Sequence, residues 1–96
     1  MRQSTQNVNN AFANNKEFKS GHDKVEIKES CIDLSYRGNI IAYKSKGKLF
    51  ITNCGFKTNV TKERLNGIEG VSIKQKNGVW FLNGTEWNGN LIEIKQ

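Results

Sequence analysis

Apolar and polar residues alternate with a period of two along most of this chain, which is the pattern of strands that bury one face. Glycine occurs in the reversals between these strands, and Asn77-Gly78 is among the strongest hairpin signals. The pattern therefore predicts short antiparallel strands that follow one another as a meander. The predicted strands are residues 24–29, 31–36, 39–44, 49–53, 71–74, 79–82 and 91–95.

The alternation stops in residues 54–70 (CGFKTNVTKERLNGIEG). Thr61 can cap a helix there, because its hydroxyl can accept hydrogen bonds from the free backbone N–H groups of a helix start. Gly67 or Gly70 can end the helix in the left-handed conformation. The stretch thus predicts one short helix, near residues 61–67, inserted between two β-rich halves.

The faces of this helix follow from its sequence. Leu65 and Ile68 are expected to turn toward the core. The charged residues before them, Lys62, Glu63 and Arg64, are expected to be exposed to solvent.

A second helix is predicted at the N-terminus. Ser4 or Thr5 can cap it, and Val8 and Phe12 share one face because they lie four residues apart. The helix is expected to reach about residue 15 and to dock through that narrow apolar face.

The predicted fold is α+β: a single small domain in which a curved antiparallel sheet of six or seven short strands carries the two short helices. Residues 1–20 would be a helical arm, 19–23 a turn and 24–96 the β-rich body. The predicted core residues are Val25, Ile27, Ile32, Leu34, Ile41, Leu49, Ile51, Leu65, Val71, Ile73, Trp80 or Phe81, and Ile92 or Ile94.

Several classes of protein are disfavoured by the sequence. No apolar run approaches the roughly 20 residues of a membrane helix, and the polar N-terminus is unlike a secretory signal, so a cytoplasmic protein with no membrane partner is expected. Cys31, Cys54 and His22 lack the spacing of a metal site. The chain has no phosphate-binding glycine loop or nucleophile motif, so we expect no cofactor and no enzymatic activity.

The net charge of +6 is concentrated in one window. Residues 37–64 hold seven basic residues and one acidic residue, whereas the two signs balance over the rest of the chain. Phosphates attract Lys and Arg regardless of sequence, which favours a polyanionic partner. Lysines on edge strands and turns also promote solubility, so the charge alone leaves both interpretations open.

Residues 38–89 contain a recognisable series of motifs: a Gly-Asn turn, a Gly-aromatic stretch that leads into Arg-Leu-Asn, and a closing Gly-x-Trp-aromatic-Leu-Asn-Gly-x-x-Trp. The positions are Gly38 and Asn39; Gly55, Phe56, Thr58, Thr61, Arg64, Leu65 and Asn66; and Gly78, Trp80, Phe81, Leu82, Asn83, Gly84 and Trp87. This pattern resembles small uncharacterised proteins of tailed bacteriophages and prophages. The resemblance implies a phage origin, hence the host cytoplasm, and it implies no particular activity.

Nucleic-acid binding is the leading hypothesis for a small basic phage accessory protein of this kind. Aromatic rings among cations are what single-stranded bases stack on, so single-stranded DNA or RNA is the expected ligand. Aromatic residues on strands are also common cross-strand partners, and Tyr43 and Phe50 are open to that interpretation. The candidate binding residues are Arg37, Lys44, Lys46, Lys48, Lys57, Lys62, Arg64, Tyr43 and Phe56.

The alternative hypothesis is a protein-binding inhibitor or modulator of a host protein, which includes host defence proteins. A basic surface would then meet an acidic host protein. Trp87 and Arg64 are the candidate anchors, because tryptophan and arginine dominate interface energies. Trp87, between Glu86 and Asn88, is expected to be exposed, whereas Trp80 lies in the most apolar strand. The sequence is compatible with a monomer or a homodimer.

Overall fold

The computed structural model describes residues 3–95, which form two helices and nine strands. In chain order these are α1 (Gln3–Ala13), β1 (Phe18–Ser20), β2 (Asp23–Ile27), β3 (Ile32–Tyr36), β4 (Asn39–Ser45), β5 (Lys48–Ile51), α2 (Asn59–Asn66), β6 (Ile73–Lys76), β7 (Val79–Leu82), β8 (Thr85–Glu86) and β9 (Ile92–Ile94).

The strands form two antiparallel sheets. A six-stranded sheet has the order β1-β2-β3-β4-β5-β9, and β6, β7 and β8 form a separate three-stranded meander. The predicted α+β class is confirmed, as is an antiparallel sheet of six or seven strands, which has six. The division into two sheets was not predicted, because alternation identifies strands and not their partners: β9 pairs with β5, with Phe50 opposite Glu93.

One face of the six-stranded sheet, the inner face, carries the core. Val25, Leu34, Ala42 and Ile51 are aligned across four neighbouring strands, and all four are buried. The helices lie on this face, and the three-stranded sheet adds buried side chains to the same core, among them Trp80. Because side chains alternate along a strand, the opposite, outer face carries the residues between them.

A β-bulge interrupts this alternation of side chains in β4. Leu34 pairs with Ala42 and Ser35 pairs with Ile40, so Ile41 is an extra residue in β4. Ile41 and Ala42 are consequently both buried, and Ile40 is displaced to the outer face, where it is exposed.

Both helices start earlier than the sequence analysis predicted. Thr58 and not Thr61 caps α2: the Thr58 hydroxyl accepts a hydrogen bond from the Thr61 backbone N–H at 3.1 Å. Thr61 is buried inside the helix. The C-cap residue is Gly67, whose φ of −80° is not left-handed, whereas Gly70, beyond the end of the helix, has φ +89°. Ser4 and Thr5 lie within α1 and do not cap it.

Other details of the prediction are corrected at the edges of the sheet. The predicted turn at residues 19–23 contains part of β1 and the start of β2. Ile27, expected in the core, is 44% exposed because it lies at the end of β2. Neither helix within residues 3–95 is long and apolar enough to cross a membrane.

Candidate nucleic-acid interface

Arg64, predicted to be exposed, lies in the interior. It is 4% exposed, and its guanidinium forms a bidentate ion pair with Asp23, with Nε to Oδ1 at 2.8 Å and Nη2 to Oδ2 at 3.0 Å. Nη1 contacts Glu63 Oε1 at 3.1 Å and donates a short hydrogen bond to the Thr5 hydroxyl. The prediction that Arg64 binds nucleic acid or a protein at the surface is therefore wrong.

The electrostatics of this site keep Arg64 charged. Burial alone disfavours the charged guanidinium, yet the pKa of Arg64 is raised, because the hydrogen bonds and the charge of Asp23 outweigh the loss of water. The Arg64 side chain joins α1, β2 and α2, since Thr5, Asp23 and Glu63 belong to these elements. Its role is structural.

Lys44 is also turned away from the predicted surface. It projects from the inner face of β4, where its Nζ donates to the Phe12 carbonyl at 2.5 Å and to Asn15 Oδ1 at 2.6 Å. Nζ lies 4.6 Å from the centre of the Phe12 ring, and burial lowers the pKa of Lys44. Lys44 thus binds the C-terminal end of α1, where free carbonyl groups attract a cation.

The remaining predicted cations lie at different places. Arg37 is in the turn before β4, whereas Lys46 and Lys48 are in and after the turn that follows it. A seven-residue strand separates the two turns by about 20 Å. Lys57 lies in the loop before α2, and Lys62 donates to Gln75 of β6 at 2.9 Å. The seven cations therefore do not form one surface.

Trp87 is only 6% exposed, so it is not available as an anchor for a partner. Its ring centroid lies 6.2 Å from that of Trp80, and its indole Nε1 donates to the Asn90 carbonyl at 2.9 Å. The expectation that Trp87 is exposed was based on its polar neighbours, and tertiary packing overrides it. The predicted protein-binding surface of Trp87 and Arg64 is not present.

The outer face of the six-stranded sheet carries a stacked aromatic pair. Tyr43 and Phe50 stand opposite each other on β4 and β5, with ring centroids 4.9 Å apart and ring planes at 19°. Both rings are half-buried and neither belongs to the hydrophobic core. Asp33 and Glu93 are aligned with them on the neighbouring strands.

Basic residues flank this aromatic row on both sides. Lys19 stands opposite Lys24 toward the Arg37 turn, and Lys48 stands opposite Ser45 at the other end. Sequence reasoning missed Lys19 and Lys24 because they precede the basic window. The period of two indicates their outward direction, but only the register places Lys24 opposite Ser35 of β3 and Lys19 opposite Lys24.

Ion pairs neutralise part of this basic surface. Lys28 Nζ lies 2.6 Å from Asp33 Oδ2, and that carboxylate raises the pKa of Lys28. Lys24 Nζ lies 3.7 Å from Glu26 Oε1. Within residues 3–95, Lys19 and Lys48 on this face, and Arg37 and Lys46 in the turns at the two ends of β4, make no ion pair.

A cleft of about 360 Å³ lies at the other side of the Arg37 turn, beside the start of α2. Phe56 lines it and is 50% exposed. The structure therefore places Phe56 away from Tyr43, which lies on the outer face. The further lining residues are Tyr36, Arg37, Asn39, Ile41, Thr58, Val60 and Thr61.

The side chains that could bind a metal or act as nucleophiles are dispersed. Among the described residues, no group of three or more His, Cys, Asp and Glu side chains is close enough to hold a metal ion. Cys31 and Cys54 are free thiols. Burial raises the pKa of both, and the Cys54 thiol also donates to the Ile40 carbonyl, with Sγ to O at 2.9 Å.

Residues 1–93 match the model of one protein family, described as Kyanoviridae Gp96 protein. No curated protein and no solved structure matches the chain significantly. The match agrees with the resemblance of residues 38–89 to small phage proteins and covers nearly the whole chain. The chain thus belongs to the Kyanoviridae Gp96 family of phage proteins.

Proposed function

We propose that this phage protein binds single-stranded DNA or RNA on the outer face of its six-stranded sheet, as a non-enzymatic factor in the host cytoplasm. The observation that carries the proposal is the Tyr43–Phe50 stack on the sheet face opposite the core. Unpaired bases stack on aromatic side chains of this kind, whatever their sequence.

The position of the cations supports the same ligand. Arg37 lies at one end of β4 and Lys46 and Lys48 at the other, so a strand lying over the stack would meet positive charge on both sides. The phosphates of that strand would release counterions on contact with these residues, which makes binding dependent on salt.

The arrangement favours single strands over duplexes. In a duplex the base faces are already stacked on one another, and they cannot reach protein rings without unpairing. Glu93, aligned with the stack, would repel phosphates directly above it, which is consistent with bases at the centre and phosphates at the sides.

Charge reversal tests the proposal. Arg37→Glu combined with Lys48→Glu is expected to weaken binding of a single-stranded oligonucleotide by about tenfold or more at low salt. Lys74→Glu combined with Lys76→Glu is the matched control: it makes the same change in net charge at exposed positions on β6 and should have a much smaller effect. Equal losses in the two double variants would contradict a defined interface.

A pull-down from host lysate, with and without nuclease, separates this proposal from the protein-binding alternative. The proposal predicts that co-purified proteins are lost when nucleic acid is digested. A stoichiometric host protein that survives nuclease and is insensitive to the charge reversal would contradict it.

A further inference from the structure

We propose that the cleft between the Arg37 turn and the start of α2, hereafter the α2 cleft, binds a single nucleotide of the strand, with the base against Phe56 and Tyr36 and the phosphate at Arg37. This inference rests on the proposed function and adds a second, separate contact to it. The outer face supplies stacking along the strand, whereas the α2 cleft encloses one base.

Phe56 is presented to the cleft by a well-anchored turn. Asn53 is buried, its side-chain Oδ1 accepts from the Gly55 N–H at 2.8 Å, and its carbonyl accepts from the Phe56 N–H at 2.8 Å. A half-exposed phenylalanine on a turn held in this way loses little conformational entropy when a planar ligand covers it. The ring is thus a preorganised stacking surface.

Tyr36 forms a second aromatic wall, and its ring is fixed from several sides. The guanidinium carbon of Arg64 lies 5.5 Å from the centroid of the Tyr36 ring, and the guanidinium carbon of Arg37 lies 5.8 Å from it. His22 contacts the same ring edge-to-face, with centroids 6.1 Å apart. The buried ion pair of Arg64 with Asp23 therefore also positions a wall of the cleft.

The charge at the rim of the cleft selects an anion. Arg37 lines the cleft and makes no ion pair within residues 3–95, and Lys57 follows Phe56 in the same loop. The first backbone N–H groups of α2, those of Asn59 and Val60, lie before the first intrahelical hydrogen bond and add partial positive charge.

The combination of walls and rim restricts the class of ligand. A free phosphate would leave the aromatic and aliphatic walls exposed to water. An apolar molecule would make no ionic contact with Arg37. A volume of about 360 Å³ is at the low end of small-molecule sites, which range over roughly 300–1,000 Å³. A nucleotide matches both features of the cleft: its flat base fits the aromatic and aliphatic walls, and its phosphate fits the basic rim.

The cleft is connected to the outer face through Arg37. The same side chain borders the depression on the outer face that Lys19, Lys24 and Ile40 line. A strand that crosses the outer face can therefore turn around the Arg37–Gly38 hairpin tip and place its terminal nucleotide in the cleft.

The test uses the full chain and the four nucleoside 5′-monophosphates, followed by ¹H–¹⁵N NMR. We expect a monophosphate to shift the amide signals of Gly38, Phe56 and Val60, and inorganic phosphate alone to bind much more weakly. Phe56→Ala should lower the affinity for the monophosphate by about tenfold, because base–aromatic stacking contributes on that scale. Phe81→Leu is the control and should leave that affinity unchanged, because Phe81 lies on β7 and does not line the cleft.

Three results would overturn the inference: no monophosphate shift at millimolar concentration, shifts confined to the outer face, or equal affinity in the Phe56→Ala variant. These results are distinguishable from failure of the proposed function. An oligonucleotide would still bind to the outer face and respond to Phe50→Leu, whereas failure of the proposed function removes oligonucleotide binding altogether.

Discussion

Arg64 and Asp23 form a two-point ion pair in the interior, with Nε to Oδ1 at 2.8 Å and Nη2 to Oδ2 at 3.0 Å, although they are 41 residues apart in the chain. Both side chains are nearly inaccessible to solvent. The pair connects α2 to β2, and hydrogen bonds to Ser4 and Thr5 extend it to α1. It holds the helices on the inner face of the sheet.

Removing one partner of this pair should be strongly destabilising. Arg64→Ala leaves the Asp23 carboxylate buried and unpaired, and we expect a loss of about 3–5 kcal/mol in the free energy of unfolding. Arg64→Lys should recover only part of it, because an ammonium group cannot make the two-point contact. Urea unfolding followed by tryptophan fluorescence measures the change.

Lys62→Ala is the control for that prediction. Lys62 belongs to the same helix and donates to Gln75 at 2.9 Å near the surface, so its loss should cost less than about 0.5 kcal/mol. Similar losses for Lys62→Ala and Arg64→Ala would contradict a special role for the buried pair.

The strands and the α+β class could be predicted from the sequence because each depends on local patterning. The burial of Arg64 was also accessible in principle: Thr61, Arg64, Leu65 and Ile68 follow the spacing i, i+3, i+4 and i+7 and so share one helix face. The charge of Arg64 argues for exposure and conceals that spacing. The partner of Arg64 could not be predicted, because Asp23 is brought close only by the sheet.

The candidate site was predicted less well than the fold, for a related reason. Residues 37–64 hold the excess charge, but they cross β4 from end to end, and alternation sends Lys44 inward and Tyr43 outward. Basic residues that are close together in the sequence therefore do not form one surface in the folded protein. Lys19 and Lys24 join the outer face through strand pairing, which no local pattern reveals.

Arg37 occupies a strained backbone position, which predicts a conflict between stability and function. Its φ is +53°, a region that favours Gly and Asn, and the corresponding hairpin positions Asn77 and Asn83 do hold asparagine. Arg37→Asn should raise the free energy of unfolding by up to about 1 kcal/mol. The same variant should weaken oligonucleotide binding, because it removes a cation.

Cys54→Asn is the control, since Cys54 also has φ +53° and carries no charge at neutral pH. It should gain stability and bind oligonucleotides as the original chain does. Arg37→Asn that is more stable and binds with unchanged affinity would argue against a role for Arg37 in binding.

Gly89 is required where two loops meet. A Cβ at Gly89 would overlap the Asn53 side chain, and the residue has φ +90°. Gly89→Ala should therefore destabilise the protein by about 2–4 kcal/mol, through overpacking and backbone strain together. Thermal or urea unfolding measures it.

Gly84→Ala isolates the strain component. Gly84 has φ +89°, but a Cβ added there would meet no neighbouring atom within 4 Å, so only the backbone strain of about 1 kcal/mol is expected. If the two variants unfold at the same urea concentration, the close approach of Gly89 to Asn53 is not important for stability.

The raised pKa of Cys54 predicts slow alkylation. Partial loss of water around the Cys54 thiol favours its neutral form, so in the folded protein its pKa is higher than that of a cysteine in the unfolded chain. Since only the thiolate reacts, iodoacetamide should modify Cys54 more slowly in the folded chain than in urea at about pH 8. The rate in the folded chain should continue to rise above about pH 9, where a thiol of the unfolded chain is already mostly ionised. Mass spectrometry of the modified peptide measures the rate of alkylation of Cys54.

The same shift has a consequence for stability. Because the folded pKa is the higher one, the contribution of Cys54 is complete below the unfolded pKa and is lost as the pH rises through the folded pKa. Equal alkylation rates in the folded and the urea-unfolded chain, measured at one pH below the unfolded pKa, would contradict the assignment.

The most direct test of the nucleic-acid interface is the affinity of a fluorescent single-stranded oligonucleotide, measured by anisotropy at several salt concentrations, for the original chain and for Tyr43→Leu combined with Phe50→Leu. Leucine keeps apolar bulk on the outer face and removes the rings. We expect binding that weakens steeply with salt and a loss of affinity of about tenfold or more in the double variant. The lost cross-strand aromatic pair should lower the free energy of unfolding by only about 1 kcal/mol, so the double variant stays folded. No binding at low salt, or equal affinity of the two proteins, would contradict the account.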